Sequence, residues 1–120
     1  MSPPTAEAVL IAYLNAALDG GVECFGDVPA NRPDVFVTVE RTGGPKDLIR
    51  DQGLYAVGCW HTSRARAAAL ADRVAGLLAI APAHISRIGA TGVQSIYNLP
   101  DPDSGQARYQ ITVTATVYEH

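Results

Sequence analysis

Cys59 and His61 stand two residues apart, and on a β-strand that spacing puts a thiol and an imidazole on one face. Such a pair is half of a metal site, or a nucleophile beside its base. The rest of the chain does not complete either arrangement. His84 follows the second helix and His120 is the last residue given. The expectation is therefore a buried cysteine and a histidine at a strand end, with a small cytosolic enzyme using Cys59 and His61 as the alternative of a different class. No G-x-S-x-G elbow occurs, and nothing in the sequence argues positively for catalysis.

A second candidate is the run Arg41-Thr42-Gly43-Gly44-Pro45-Lys46-Asp47. A phosphate-binding loop needs GxxxxGK followed by Ser or Thr, with a helix after it, so that backbone amides cradle the phosphates. Here Pro45 removes an amide where one is wanted, Lys46 precedes Asp47, and a strand follows. The segment reads instead as a hairpin connection from about Gly43 to Gln52, longer than the two to five residues such loops usually take. It mixes Lys46, Asp47, Arg50 and Asp51 with Leu48 and Ile49, and a solvated loop gains nothing from two adjacent aliphatics. We expect an arm that contacts protein, made of Arg41, Thr42, Gly43, Gly44, Lys46, Leu48, Ile49 and Arg50.

The third candidate is Asp101-Pro102-Asp103-Ser104-Gly105-Gln106. A calcium loop counted from Asp101 needs a glycine at its sixth position and an acid at its twelfth, where Gln106 and Thr112 stand. The residues are ordinary turn formers. Asp101 and Asp103, with Arg108 just beyond, form a secondary contact patch in this reading.

The elements that must carry these residues follow from periodicity. Thr5 caps a first helix whose apolar stripe is Ala6, Val9, Leu10, Tyr13, Leu14 and Ala17, with Glu7 in the first turn and Gly20 and Gly21 at the end. A short extended piece, VECFG, precedes a loop. VFVTVER alternates, LYAVGCWH is apolar on both faces, and Thr62 or Ser63 caps a second helix with the stripe Ala67, Leu70, Ala71, Val74, Leu77 and Leu78. Pro82 helps to stop that helix. ISRIGATGVQSIYNL is a strand bent or bulged at Gly89 or Gly92, and RYQITVTATVY sets an apolar face against a Gln/Thr face. Two amphipathic helices and one antiparallel sheet predict an α+β two-layer sandwich: a mostly antiparallel four-stranded sheet with two helices packed on one face, in a single domain over residues 1–120.

Composition narrows the function classes. The chain has 120 residues, 48% of them apolar and 18% charged, which suits a globular core. Its formal net charge of −3 shows no basic excess of the kind direct nucleic-acid binding relies on. Cys24 and Cys59 are expected to be reduced, with a disulfide between them left open. The start, MSPPTAEAVLIAYL, reads as neither a secretory signal nor a membrane span.

The segments RPDVFVTVERTGG, VGCWHTSRARAAALADRVAGLL and LPDPDSGQARYQITVTATV, in this order, resemble the tail terminator (tail completion) proteins of long-tailed phages of the siphovirus type. Those of actinobacterial phages and prophages are the most similar. The resemblance runs from about Arg32 to Val117. It implies a small α+β structural protein with no enzymatic activity and no cofactor. Such proteins assemble in the host cytoplasm into a ring, usually hexameric, on the end of the tail tube of the virion. The ring stops polymerisation of the major tail tube protein and presents a surface to the head–tail connector of the neck. DNA passes through its lumen without specific binding, and no membrane is involved. Another small neck or head-completion protein is the nearest alternative. In such a ring the arm and the turn at Asp101, Asp103 and Arg108 would project to partners. The Thr-rich face of the last strand would pack on a neighbour or line the lumen.

Overall fold

The structure is a computed structural model and describes residues 5–119; Pro3, Pro4 and His120, which enter the sequence reading, lie outside them. Helix α1 spans Ala6–Ala17 and helix α2 Arg64–His84. Strands β1 (Glu23–Phe25), β2 (Phe36–Gly43), β3 (Arg50–His61), β4 (Ile88–Asn98) and β5 (Ala107–Tyr118) form one sheet in the order β1-β2-β3-β5-β4. Every neighbouring pair is antiparallel except β1 and β2. The architecture is the expected α+β sandwich, with five strands rather than four. The extra strand is the short VECFG piece, which pairs in parallel with Phe36–Thr38. Three residues carry no alternation long enough to announce a strand; a distant partner makes them one.

Local chemistry starts both helices as the sequence predicts. The Thr5 hydroxyl accepts from the Ala8 amide at 3.1 Å, and the Ser63 hydroxyl from the Arg66 amide at 3.2 Å. Their ends differ from the expectation. Helix α1 stops at an extended Leu18, and Gly20 and Gly21, both with positive φ, form the turn beyond it. Pro82 lies inside α2, which runs on to His84. With no N–H at Pro82, the Leu78 carbonyl four residues earlier loses its helical donor. The Thr91 hydroxyl of β4 donates to it instead, at 2.6 Å. One carbonyl earlier, Leu77 O accepts from the Tyr13 hydroxyl of α1 at 2.6 Å. The proline thus frees the Leu78 carbonyl to tie α2 to β4, and the Leu77 carbonyl takes a second bond that ties α2 to α1.

Both helices cover the same sheet face, α1 over β1 and β2 and α2 over β3, β5 and β4. The core between the layers holds Leu10, Tyr13 and Leu14 from α1, Leu70, Val74 and Leu78 from α2, and Val37, Val39, Tyr55, Val57, Ile111 and Val113 from the sheet. Strand β5 is central: Tyr55 and Val93 flank Val113 on either side. The bulge foreseen in β4 occurs at Gly89, where Ile88 pairs with Val117 and Ala90 with Thr116; a second falls at Gln94 rather than Gly92. The two sheet edges are treated differently. On β1, the Asn15 side chain accepts from the Cys24 amide at 2.8 Å and donates to its carbonyl at 3.0 Å, much as a further strand would. Among the described residues, β4 has no strand on its outer side. No helix among the described residues is long and apolar enough to cross a membrane.

Candidate functional site: the hairpin arm and the acidic turn

The arm is less loop and more sheet than the sequence suggests. Strand β3 begins at Arg50, not near Leu54, so the connection shrinks to residues 44–49. From Arg50↔Tyr118 onward, β3 is paired to β5 along its whole length. On the other side, Thr42 is bulged out between Arg41↔Tyr55 and Gly43↔Leu54. Gly44 then turns the chain at φ +97, where an added Cβ would lie 2.3 Å from the Gln52 carbonyl oxygen, so only glycine fits. The Gln52 amide donates to Pro45 O at 2.9 Å, and Lys46 bridges to Asp51.

Asp47 builds the tip. Its amide donates to Arg50 O at 3.0 Å, and its carboxylate accepts from the Ile49 and Arg50 amides at 2.8 and 2.9 Å. Those amides hold its carboxyl below the ordinary aspartate value. Leu48 and Ile49 are left at the apex, 95% and 71% exposed. The tip is braced from the side: the Glu119 amide donates to Ile49 O at 3.0 Å, and the Glu119 carboxylate pairs with Lys46 at 3.2 Å.

At the root, Asp51 is only 6% exposed and is the one buried charged residue among those described. Its carboxylate pairs with Arg41, whose guanidinium also donates to Gly44 O at 2.7 Å. Past the end of β1 the Arg41 amide has no strand to pair with, and the Glu7 carboxylate of α1 accepts from it at 2.9 Å. Tyr55 shares this cluster. Its ring lies across Gly53, close enough that a Cβ there would be 2.6 Å from the hydroxyl. Burial, reinforced by the Asp51 charge, pushes that hydroxyl up to about 12. Tyr55 Oη and Asp51 Oδ1 are both buried without a protein hydrogen-bond partner. Sequence reasoning took Glu7 as a dipole acid and Asp51 as one of the charges of the hairpin connection. The recoverable signal was Asp51-Gly53-Tyr55 at strand spacing, a glycine making room for a tyrosine that points at an acid.

The predicted arm residues therefore divide. Arg41, Gly43 and Gly44 build the hairpin, and the Thr42 hydroxyl donates to Leu54 O at 3.2 Å. No amide cradle for a phosphate forms around Gly43, Gly44 and Lys46, since Pro45 has no N–H, the Asp47 amide donates to Arg50 O and the Lys46 ammonium pairs with Glu119. Leu48 and Ile49 face outward, flanked by the half-exposed side chains of Lys46 and Arg50, the latter 3.7 Å from Asp47.

The acidic turn is similarly occupied. Asp101 accepts from the Ser104 hydroxyl at 2.5 Å, the Ser104 amide at 3.2 Å and Arg32 at 3.2 Å. The Ser104 hydroxyl first, and then Arg32, hold its carboxyl at about 2. Gln106 donates to Asp34 O at 3.1 Å, which fastens the turn to the loop before β2. Arg108 donates to Leu99 O at 2.7 Å and lays its guanidinium 4.6 Å from the Trp60 ring, with Arg32 at 5.3 Å. Trp60 in turn stacks on Phe36, and Phe25 meets Phe36 edge-on. This small aromatic cluster lies on the sheet face away from the helices. Asp101 and Arg108 thus serve the fold, and Asp103 is the exposed charge of the turn.

Cys59 and His61 are not a working pair. Cys59 is fully buried and burial pushes its thiol well up, so the thiolate is suppressed. Cys24 is also buried, with its thiol pushed up to about 12. Both cysteines pair across from Val37, on opposite sides of β2. Two strand spacings, ~9.5 Å, exceed disulfide reach. The thiols are free. His61 sits at the strand end with Nδ1 accepting from the Thr62 amide at 2.8 Å, which leaves the proton of the neutral ring on Nε2. Desolvation and nearby Arg66 lower its pKa. The chain matches no protein-family model and no curated protein.

Proposed function

We propose that this chain is a structural subunit of the phage tail terminator type. In this reading it closes into a ring, hexameric by the resemblance, on the end of the tail tube. There it stops growth of the major tail tube protein and offers the neck connector a surface for joining the head. It is assembled in the bacterial cytoplasm and becomes part of the virion, and DNA passes through the ring without specific binding.

The observation that carries this reading is the arm. Two adjacent aliphatics are held outward at the end of a paired, laterally braced hairpin whose root is a buried ion pair. Burying a Leu and an Ile side chain on a partner contributes roughly 3–6 kcal/mol, a gain the monomer forgoes by leaving them in water. A rigid apolar tip fits repeated protein contact and does not fit small-molecule chemistry. The open sheet face supports the same role. Its β5 stretch presents Gln110 and the β-branched Thr112, Thr114 and Thr116, polar and uncharged, while Arg32 and Arg108 on the same face are engaged with Asp101 and Leu99 O.

Electron microscopy and native mass spectrometry of the purified protein, with and without tail tube subunits, test the proposal. Rings alone or on tube ends, and tubes that cease to lengthen, are expected. A protein that stays monomeric at high concentration and leaves tube ends bare refutes it.

A further inference from the structure

Two groups of large apolar side chains are exposed at opposite ends of the sheet. One is the arm tip, Leu48 and Ile49; the other is the far half of β4 and the residue after it, with Val93, Ile96, Tyr97 and Leu99 each more than a third exposed. Register fixes their separation. Ile49 lies beside Glu119, just past the Arg50↔Tyr118 pair, whereas Ile96 pairs with Ile111. The interval from Ile111 to Tyr118 along β5 is roughly 24 Å at strand rise. Within one chain the two groups cannot meet.

Strand β4 is also unusual for an edge. Residues 88–98 include no charged side chain and no proline, two of the devices that keep an edge strand from pairing with another chain; a third, the bulge, occurs at Gly89 and Gln94 and leaves Ser95–Asn98 regular. The other edge is closed by Asn15. The uncharged, regular run Ser95–Asn98 beyond the Gln94 bulge suits a partner that brings backbone pairing and apolar side chains together, as a hairpin tip does.

We infer that the arm tip of one copy docks on the Val93–Leu99 edge of the next copy, so that this contact, rather than the tube, is what the arm grips. This rests on the ring reading above and names the ring's repeating interface. Charge does not oppose it: Lys46 and Arg50 beside the tip are balanced by Glu119 and Asp47, and β4 carries no charged side chain. The contact is heterologous, tip to edge, and so propagates head to tail until it closes. Its size bears on how it assembles. Two tip side chains bury far less than the ~800 Å² per partner of a stable pairwise interface. Open dimers are therefore poorly populated, and the ring gains stability when every subunit makes two contacts at once.

Cysteine cross-linking tests the geometry, because Cys24 and Cys59 are buried and stay out of the reaction. Ile49→Cys and Ile96→Cys each place a thiol on an exposed position. Oxidised alone, either variant should give no cross-link. Mixed, they should give dimers and nothing larger, and a chain carrying both should give a ladder that ends at the ring size. Ile49→Cys cross-linking to itself overturns the head-to-tail contact. Wild-type rings with no Ile49–Ile96 cross-link also overturn it, and leave the ring reading standing. A wild type that forms no ring defeats that reading, and the inferred contact with it.

Discussion

Asp51 and Tyr55 are adjacent buried residues with opposite consequences on removal. Asp51 balances the Arg41 guanidinium, which is itself largely buried and also holds Gly44. Asp51→Asn leaves that cation without its counter-charge, and we expect a loss of about 3 kcal/mol in urea unfolding. Tyr55 carries a hydroxyl that no protein group satisfies. Tyr55→Phe deletes it while keeping the ring over Gly53, so stability should hold or rise by up to about 1 kcal/mol. A clear loss instead would mean that the hydroxyl has a partner, such as a bridging water at Asp51. The same residues explain a failure of sequence reading. A buried acid and a glycine occupy the inward positions of Arg50-Asp51-Gln52-Gly53, so hydrophobic alternation is absent where the strand begins. An ion pair with Arg41, set by tertiary contact, replaces the apolar side chains that periodicity looks for.

Among the elements, α2 and β4 depend on each other through Pro82. The helix keeps its proline because Thr91 supplies the donor that the imide lacks. Thr91→Val should cost about 1–2 kcal/mol by leaving Leu78 O buried without a donor. Pro82→Ala returns an N–H to that carbonyl. In Thr91→Val/Pro82→Ala the loss should then be smaller than the two single effects combined, as read from a thermal-unfolding cycle. Additive losses would show that the Thr91 bond does not substitute for the helical one. Pro82 was expected to help stop the helix because a sequence shows only the missing N–H. The hydroxyl that compensates comes from a strand nine residues later and becomes visible once β4 is packed on α2.

For the whole molecule, fold and assembly are carried by different surfaces. Val113 is fully buried in the central strand between Tyr55 and Val93. Val113→Asp places a charge there without a partner, at a cost of several kcal/mol, and should abolish the cooperative unfolding transition. Leu48→Ser with Ile49→Ser removes apolar side chains that touch water in the monomer. That variant should keep the wild-type melting temperature within a degree or two and lose assembly in native mass spectrometry. If it unfolds instead, the tip is part of the core and the proposed role of the arm falls.

By itself the sequence determined the helices, their inward stripes, the Thr5 cap and a second cap at Thr62 or Ser63, the alternation of β5 and hence the two-layer class. Each of these depends on residues within a few positions of one another, where periodicity and capping act. Tertiary structure decided the rest. It made a strand of Glu23–Phe25 by parallel pairing with β2, and began β3 at Arg50 by pairing it with Tyr118. It turned Arg41, Asp101 and Arg108 from candidate contacts into internal braces, because Asp51, Arg32 and Trp60 come to them from elsewhere in the chain. It also closed one sheet edge with Asn15 and left the uncharged edge of β4 open. A side chain's availability to a partner is what remains after the fold has used it, and that is fixed by neighbours distant in sequence.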